Sequence, residues 1–283
     1  MAVAPTDISR LALDTARSAA TEAGRMALGY FRRGGRTSAD IQYKDGGSPV
    51  TEADLAVDTF LRRTLTAVAP EFGWLSEETL DDARRLDRAV VWVVDPIDGT
   101  RAFARGDADW TVAIGIVVHG VAVAGFVFAP VSGDFYEALP GAPSLLNGRP
   151  IRASSHTGIS GARIAGPGPM LDAMQADRLP FQRMPRIHSL AYRFVRVAEG
   201  AIDGGLASGS AHDWDLAAAH AILTGAGGVI CTTSGATPVY NRASTRHEPV
   251  VAAGPGLAAP LADILARGGT ARASGHKDAI AGL

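Results

Sequence analysis

Two carboxylates three residues apart are the most reactive pattern in this chain. The hexapeptide Asp95-Pro96-Ile97-Asp98-Gly99-Thr100 follows directly on the apolar run Val90-Val91-Trp92-Val93-Val94. A buried strand would deliver both acids onto a turn that ends in Gly-Thr. Carboxylates held that close repel each other unless a cation sits between them. The Gly-Thr pair adds backbone N–H groups and a hydroxyl, which suit phosphate oxygens. Strand, paired acids and anion-binding turn together predict metal-assisted phosphate chemistry.

Three more acidic segments could join the pair: Thr51-Glu52-Ala53-Asp54 at a helix start, Ser76-Glu77-Glu78-Thr79, and His212-Asp213-Trp214-Asp215 before an alanine-rich helix. Magnesium takes hard oxygen ligands and keeps water, so Glu77, Asp95, Asp98 and Asp215 are of the right type. Two or more such ions can bridge a phosphate and lower the pKa of a bound water, which then attacks phosphorus without a covalent nucleophile. Each segment also has a plainer reading. Glu77-Glu78 reads as an exposed acidic patch, Asp54 as an acid complementing a helix dipole, and Asp215 as an N-cap. Asp213 and Glu52 read as surface charges, His212 as a polar loop residue, and His119 as part of a turn.

The elements that must position these groups follow from periodicity. An apolar stripe predicts a helix over 8–32, ended by Gly34-Gly35. A second helix is expected over 51–68, with Leu55, Phe60, Leu61, Leu65 and Val68 inward and Pro70 closing it. Strands are expected at 90–94, 111–118, 121–129 and 134–138. Ser189 reads as the cap of a helix bearing Leu190, Phe194 and Val197, and Asp215 as the cap of another ending near Gly225. A last helix is expected over 257–267, followed by a small, polar tail from Gly268. Alternating layers of helix and sheet result, with a soft division near residue 150. The expected halves are 1–150, carrying most of the proposed ligands, and 151–270, carrying Asp215 and substrate-side residues, before a tail at 271–283.

Composition narrows the function. The chain has 283 residues, 47% of them hydrophobic, and a formal net charge of −2. That balance, with no basic stripe, argues against binding a nucleic-acid polymer or a membrane surface. A single cysteine, Cys231, excludes an internal disulfide framework and fits a reducing, cytoplasmic setting. No basic patch followed by an apolar stretch at the N-terminus suggests a signal peptide. Trp110–Ala129 is apolar enough to mislead a membrane search. His119-Gly120 interrupts it, so two strands are expected instead.

The run Trp92-Val93-Val94-Asp95-Pro96-Ile97-Asp98-Gly99-Thr100-Arg101-Ala102-Phe103 resembles the first signature of the inositol monophosphatase family of lithium-sensitive, magnesium-dependent phosphatases. Trp214-Asp215-Leu216-Ala217-Ala218-Ala219, followed by Ala226-Gly227-Gly228, resembles the second. The likeness extends over most of the chain, because the Thr-Glu-Ala-Asp and Glu-Glu segments sit upstream in the expected order. It implies an α+β fold, a layered αβαβα sandwich of the inositol monophosphatase and sugar phosphatase type. It implies Glu77, Asp95 and the Ile97 carbonyl on one magnesium ion, and Asp95, Asp98 and Asp215 on a second. Glu77 would help to hold a third, looser ion. The Gly99 and Thr100 amides would bind phosphate. Asp54 would accept the Thr100 hydroxyl, and that dyad, with Glu77, would orient and deprotonate the attacking water. Lys44 would belong to a loop closing over the site.

The resemblance leaves the substrate open. Inositol-selective members carry an acid six positions before the second signature's Trp, where this chain has Ser208. His188-Ser189-Leu190-Ala191-Tyr192-Arg193, followed by Ala198-Glu199-Gly200, looks closer to the 3′(2′),5′-bisphosphate nucleotidase branch. Ser189 and Arg193 are therefore candidate substrate contacts, with Arg193 pairing a second phosphate. The implied partner is a small phosphorylated metabolite: inositol monophosphate, 3′-phosphoadenosine 5′-phosphate, histidinol phosphate or a sugar bisphosphate. A homodimer is the common state of such proteins. The rival from another class is a catalytically silent relative that binds metal or phosphate as a partner protein. The retention of every ligand position speaks against it.

Overall fold

Alanines on the inner face of the first helix let two helices lie close together over a sheet. Ser9 caps α1 (Arg10–Tyr30), its Oγ accepting from the Ala12 N–H, and Ala12, Ala16, Ala20, Ala23 and Ala27 are fully buried. A short antiparallel pair, β1 (Ile41–Tyr43) and β2 (Pro49–Thr51), precedes α2 (Glu52–Val68). Thr51 and Asp54 form a capping box that starts α2. Val57, Leu61 and Leu65 fill its buried stripe, whereas Leu55 is 46% exposed and does not face inward as its spacing suggested. The structure, a computed structural model, describes residues 8–44, 47 and 49–278, with backbone only for 268–278.

The larger sheet comprises β3 (Gly73–Ser76), β4 (Val90–Asp98), β5 (Thr111–Val118), β6 (Val121–Ala129), β7 (Asp134–Ala138), β8 (Leu145–Leu146) and β9 (Arg149–Pro150), paired in that order. β4 is parallel to β3 and antiparallel to β5. Every residue of β4 is buried, and the strand runs through Pro96 to Asp98, four residues past its expected end. The β4–β5 register shifts between Asp95 and Asp98. A bulge of that kind tolerates proline, which has no N–H for the ladder. The apolar stretch 110–129 holds a hairpin turning at His119 and Gly120, both with positive φ. No helix among the described residues is long and apolar enough to cross a membrane.

The smaller sheet contains β10 (Arg163–Ala165), β11 (Gln182–Arg183), β12 (Gly204–Ala207), β13 (Val229–Thr232) and β14 (Val250–Ala253), in the order β11-β10-β12-β14-β13. A short α3 (Thr100–Arg105) follows β4, and α4 (Gly168–Ala176), α5 (Leu190–Ala198), α6 (Asp213–Gly225) and α7 (Pro255–Asp278) complete the helices. One core joins α1 and α2 to one face of the larger sheet, a second joins its other face to α5 and α6, and a third joins the smaller sheet to α4 and α7. The layers are thus αβαβα. α6 sits on bare sheet backbone: a Cβ at Gly125 would lie 2.1 Å from the Ala218 oxygen, and one at Gly115 would lie 3.0 Å from the Ala217 Cβ.

Two later helices also differ from their expected boundaries. α6 begins at Asp213 with His212 as N-cap, so Asp215 is the third helical residue rather than the cap. α7 continues to Asp278, past the expected end at 267, and residues 279–283 lie outside the described ones.

Candidate active site

The end of strand β4 and the start of helix α6, which packs on the same larger sheet, bring three carboxylates together. Asp95, Asp98 and Asp215 each offer an oxygen, and these oxygens all lie within 4.8 Å of one another. Two of these acids and a neighbour are anchored the same way, by one oxygen on the first turn of a helix. Asp98 Oδ2 accepts from Ser189 Oγ and the Ala191 N–H of α5, both at 2.6 Å. Asp215 Oδ2 accepts from the His212 N–H at 2.6 Å. Asp54 Oδ2 accepts from the Thr51 N–H at 2.8 Å and Thr51 Oγ1 at 2.5 Å. First-turn amides lack intrahelical acceptors and the helix dipole favours negative charge there, so each anchor suits an anion. Asp95 is the exception: it is buried and its Oδ1 has no hydrogen-bond partner.

Crowding and burial strain these acids electrostatically. Burial, then repulsion from Glu77, Asp98 and Asp215, pushes the Asp95 carboxyl well above its ordinary range. Asp215 is pushed up likewise by burial, then by Asp98 and Glu77. Burial raises Asp98 to about 6 against the opposing bonds from Ser189 and Ala191. It raises Asp54 to about 6 against those from Thr51. A divalent cation with a preference for hard oxygen ligands relieves this repulsion and satisfies the orphaned Asp95 oxygen. The donor set therefore fits a metal ion.

Around the trio stand the other expected residues. Thr100 Oγ1 lies 3.2 Å from Asp54 Oδ1 and 3.1 Å from the Ile97 carbonyl oxygen, either of which can accept its proton. Gly99 adopts a left-handed conformation (φ 96°) and opens α3 with no side-chain cap on its first amides. Glu77 stays outside the tight trio, with its Oε1 accepting from Lys44 Nζ at 2.9 Å. The same ammonium donates to Glu78 Oε1 at 2.8 Å, so Lys44 is held at the site by two acids. Glu78 is no surface acid: its side chain is 3% exposed and burial raises its carboxyl to about 7. Ser76 and Thr79 both donate to Asp58, which fixes the loop bearing Glu77.

Beside Asp215 opens a cavity of about 290 Å³ whose walls include Arg186, His188, Arg193, Ser208 and Ser210. Two expected substrate contacts sit differently. Ser189 is fully buried, donates to Asp98 and accepts from the Tyr192 N–H, so it stands behind an acid of the cluster rather than in the cavity. Arg193 is buried, neither a surface arginine nor an open fork. Its Nη1 donates to the Leu206 carbonyl at 2.6 Å and its Nη2 to the Ile187 carbonyl, leaving only Nε without a partner. Burial lowers its pKa to about 10. Asp213 is also misjudged as a surface charge. It is fully buried, accepting from the Asn241 N–H at 2.7 Å and pairing with His247 Nε2 at 2.7 Å. His212 stacks on Trp214 with ring centroids 4.6 Å apart. Sequence reasoning passed over Arg186 and Asp109; both lie in loops without periodicity, and only folding gives them neighbours.

A layered αβαβα sandwich with acids converging from a strand end and a helix start, beside an uncapped helix start, is the architecture of a class of small-molecule phosphatases. The chain belongs to the inositol monophosphatase family, whose profile matches residues 10–268. It is 32% identical over 251 residues to inositol-1-monophosphatase ImpA of Mycolicibacterium smegmatis, covering 83% of this chain and 86% of that one. It is 25% identical to the 3′(2′),5′-bisphosphate nucleotidase CysQ of Buchnera aphidicola, covering 84% and 91%. Among solved structures, the extragenic suppressor protein suhB of Bartonella henselae shares the fold at a TM-score of 0.76, with 24% identity over 91% of this chain and 98% of that one.

Proposed function

We propose that this protein is a magnesium-dependent phosphomonoesterase that hydrolyses a small phosphate ester such as inositol monophosphate. The observation that carries the reading is the convergence of Asp95, Asp98 and Asp215, with a buried Asp95 oxygen that has no protein partner. Two or three magnesium ions would be held by Glu77, Asp95, the Ile97 carbonyl, Asp98 and Asp215. Such ions, when bound, supply Lewis-acid stabilisation of phosphoryl charge and acidify water. The chain's own groups do the rest. Gly99 and Thr100 amides receive phosphate oxygens. Thr100, with its proton directed at Asp54, offers an oxygen lone pair that orients the attacking water. Asp54, raised to about 6, is poised near neutral pH to take the Thr100 hydroxyl proton as Thr100 takes one from the water, and Glu77 steadies the same water. Water oxygen bonds to phosphorus, the ester P–O bond breaks, and its electron pair leaves with the alcohol oxygen, which takes up a proton. Lys44, held by Glu77 and Glu78, covers the acid side of the site.

A second reading is favoured by one feature. The cavity beside Asp215 carries Arg186 and the buried charge of Arg193, and Ser208 stands where an acid would read inositol hydroxyls. That lining suits a substrate with a second phosphate, as in 3′-phosphoadenosine 5′-phosphate. A phosphate-release assay with magnesium discriminates the readings. It compares inositol 1-phosphate, adenosine 3′,5′-bisphosphate, fructose 1,6-bisphosphate and histidinol phosphate. Metal-dependent release from at least one, abolished by Asp98→Asn, is the expected result. No release from any ester, with metal bound, would instead favour a catalytically silent partner protein.

A further inference from the structure

Asp109 lies in the loop between α3 and β5, outside both signature segments, yet its contacts converge on the metal-site acid Asp98. Asp109 Oδ2 accepts from the His188 backbone N–H and stands 2.9 Å from His188 Nδ1, and the Asp109 carbonyl accepts from the Ser189 N–H at 3.2 Å. Arg105 Nη2 lies 2.9 Å from His188 Nε2. An arginine can only donate, so Nε2 is the acceptor and the ring proton sits on Nδ1, pointing at Asp109. Residues 188 and 189 are thus pinned to residue 109 at three points. They are the residues that start α5, and α5 supplies both donors to Asp98 Oδ2. The pin also borders the phosphate turn: a Cβ at Gly99 would meet the Asp109 oxygen at 3.1 Å and the Ser189 nitrogen at 3.2 Å.

We propose that Asp109 is a positioning residue: by pinning the start of α5 it fixes the rotation of the Asp98 carboxylate, so that one oxygen is bound to the helix and the other is turned to the cation. It rests on the cation reading of the Asp95, Asp98 and Asp215 cluster. Asp109 touches neither the substrate nor the ion. Outer partners that orient a metal-binding carboxylate are worth about 10- to 100-fold in metal affinity or activity. Because the Asp109 side chain is 22% exposed, its truncation leaves no large void, and the fold should survive.

The test is direct manganese binding to the metal-stripped full-length protein, followed by electron paramagnetic resonance. In Asp109→Ala the number of bound ions should stay as in wild type, while binding weakens, the dissociation constant rising about tenfold. The magnesium concentration for half-maximal phosphate release should rise in step. Ser189→Ala should show the same weakening, and the double variant little more than either alone, as expected of residues acting in one chain. Asp107→Ala, which removes the Arg105–Asp107 ion pair but none of the three contacts between residue 109 and residues 188 and 189, should bind manganese as wild type does. If Asp109→Ala fails to fold, Asp109→Asn keeps an acceptor for the His188 amide and should show a smaller weakening in the same direction. Unchanged manganese affinity in the folded variants would overturn the proposal. So would loss of one whole equivalent of ion with the others unaffected, since that would make Asp109 a ligand with Asp107 and His188. Wild-type protein that binds no manganese would instead overturn the cation reading itself.

Discussion

The acid cluster and the cavity beside it are built in opposite ways. Asp98, Asp215 and Asp54 are each fixed by a helix start, and Asp95, Asp98 and Asp54 are almost wholly buried. The cavity wall mixes exposed Arg186, half-buried His188, and Ser208 and Ser210, whose hydroxyls stand 2.9 Å apart. Over-determined side chains hold one geometry, as a reaction requires. Loosely held ones can be exchanged without disturbing the core. On the proposed function, the contrast assigns the kind of reaction to the cluster and the choice of ester to the cavity.

The sharpest way to break this contrast is Asp95→Asn. Turnover should fall by on the order of 10³-fold, because a charged ligand shared by the proposed ions is neutralised. The same change should raise the melting temperature of the metal-free protein, since it removes a repelling charge. A fall in both, measured by phosphate release and calorimetry, would mean that Asp95 serves stability rather than cation binding. Thr100→Ala should lower kcat by about 10²-fold with little change in KM, the signature of lost water activation. On the cavity side, Arg186→Ala should raise KM for a bisphosphate by about tenfold, the scale of one charged hydrogen bond, and leave a monophosphate nearly unaffected. Equal effects on both esters would remove the arginine from substrate choice.

The smallest expected effect is on stability against pH. Asp54 and Asp98 have carboxyls raised from 3.8 to about 6 in the folded chain. A raised folded value contributes stability that is present below the unfolded value of 3.8 and lost as pH rises through about 6. Metal-free protein should therefore melt higher at mildly acidic than at neutral pH. His220 acts against this. Burial lowers its pKa from 6.5 to about 4, so its contribution is present above 6.5 and is lost as pH falls toward 4. His220→Gln should enlarge the acid-side gain, and saturating magnesium, which keeps the carboxylates ionised, should abolish it. Thermal melts across the range with and without metal check the sign.

The sequence made the periodic and contiguous parts of the molecule legible. The strands at 111–118, 121–129 and 134–138 stand where alternation and turns place them, because each lies in a regular ladder. Asp95, Asp98 and Asp215 were visible because motif order carries them, and the structure brings them together. What was not legible depended on distant neighbours. Arg193 lines the cavity as expected of a substrate contact, but its Nη1 and Nη2 meet carbonyls of residues 206 and 187 and only its Nε is left without a partner. Ser189 was read correctly as a cap, yet its hydroxyl turns toward Asp98, 91 residues away in the chain. Asp213 looked solvated because its partners, Asn241 and His247, come from a loop about which periodicity says nothing. Pro96 was expected in a turn after a strand ending at 94, and instead lies inside β4 at a register shift.

The glycine seats beneath α6 bear on more than packing. Gly115 and Gly125 set the standoff between the larger sheet and the helix whose first turn carries Asp215. That spacing works as a calliper on the reactive centre: the strand-borne and helix-borne acids stay within reach of one another only while the gap keeps its width. A methyl group at Gly125, remote from any reacting atom, would stand 2.1 Å from the Ala218 oxygen and prise the jaws apart, leaving each acid intact chemically but displaced from the others.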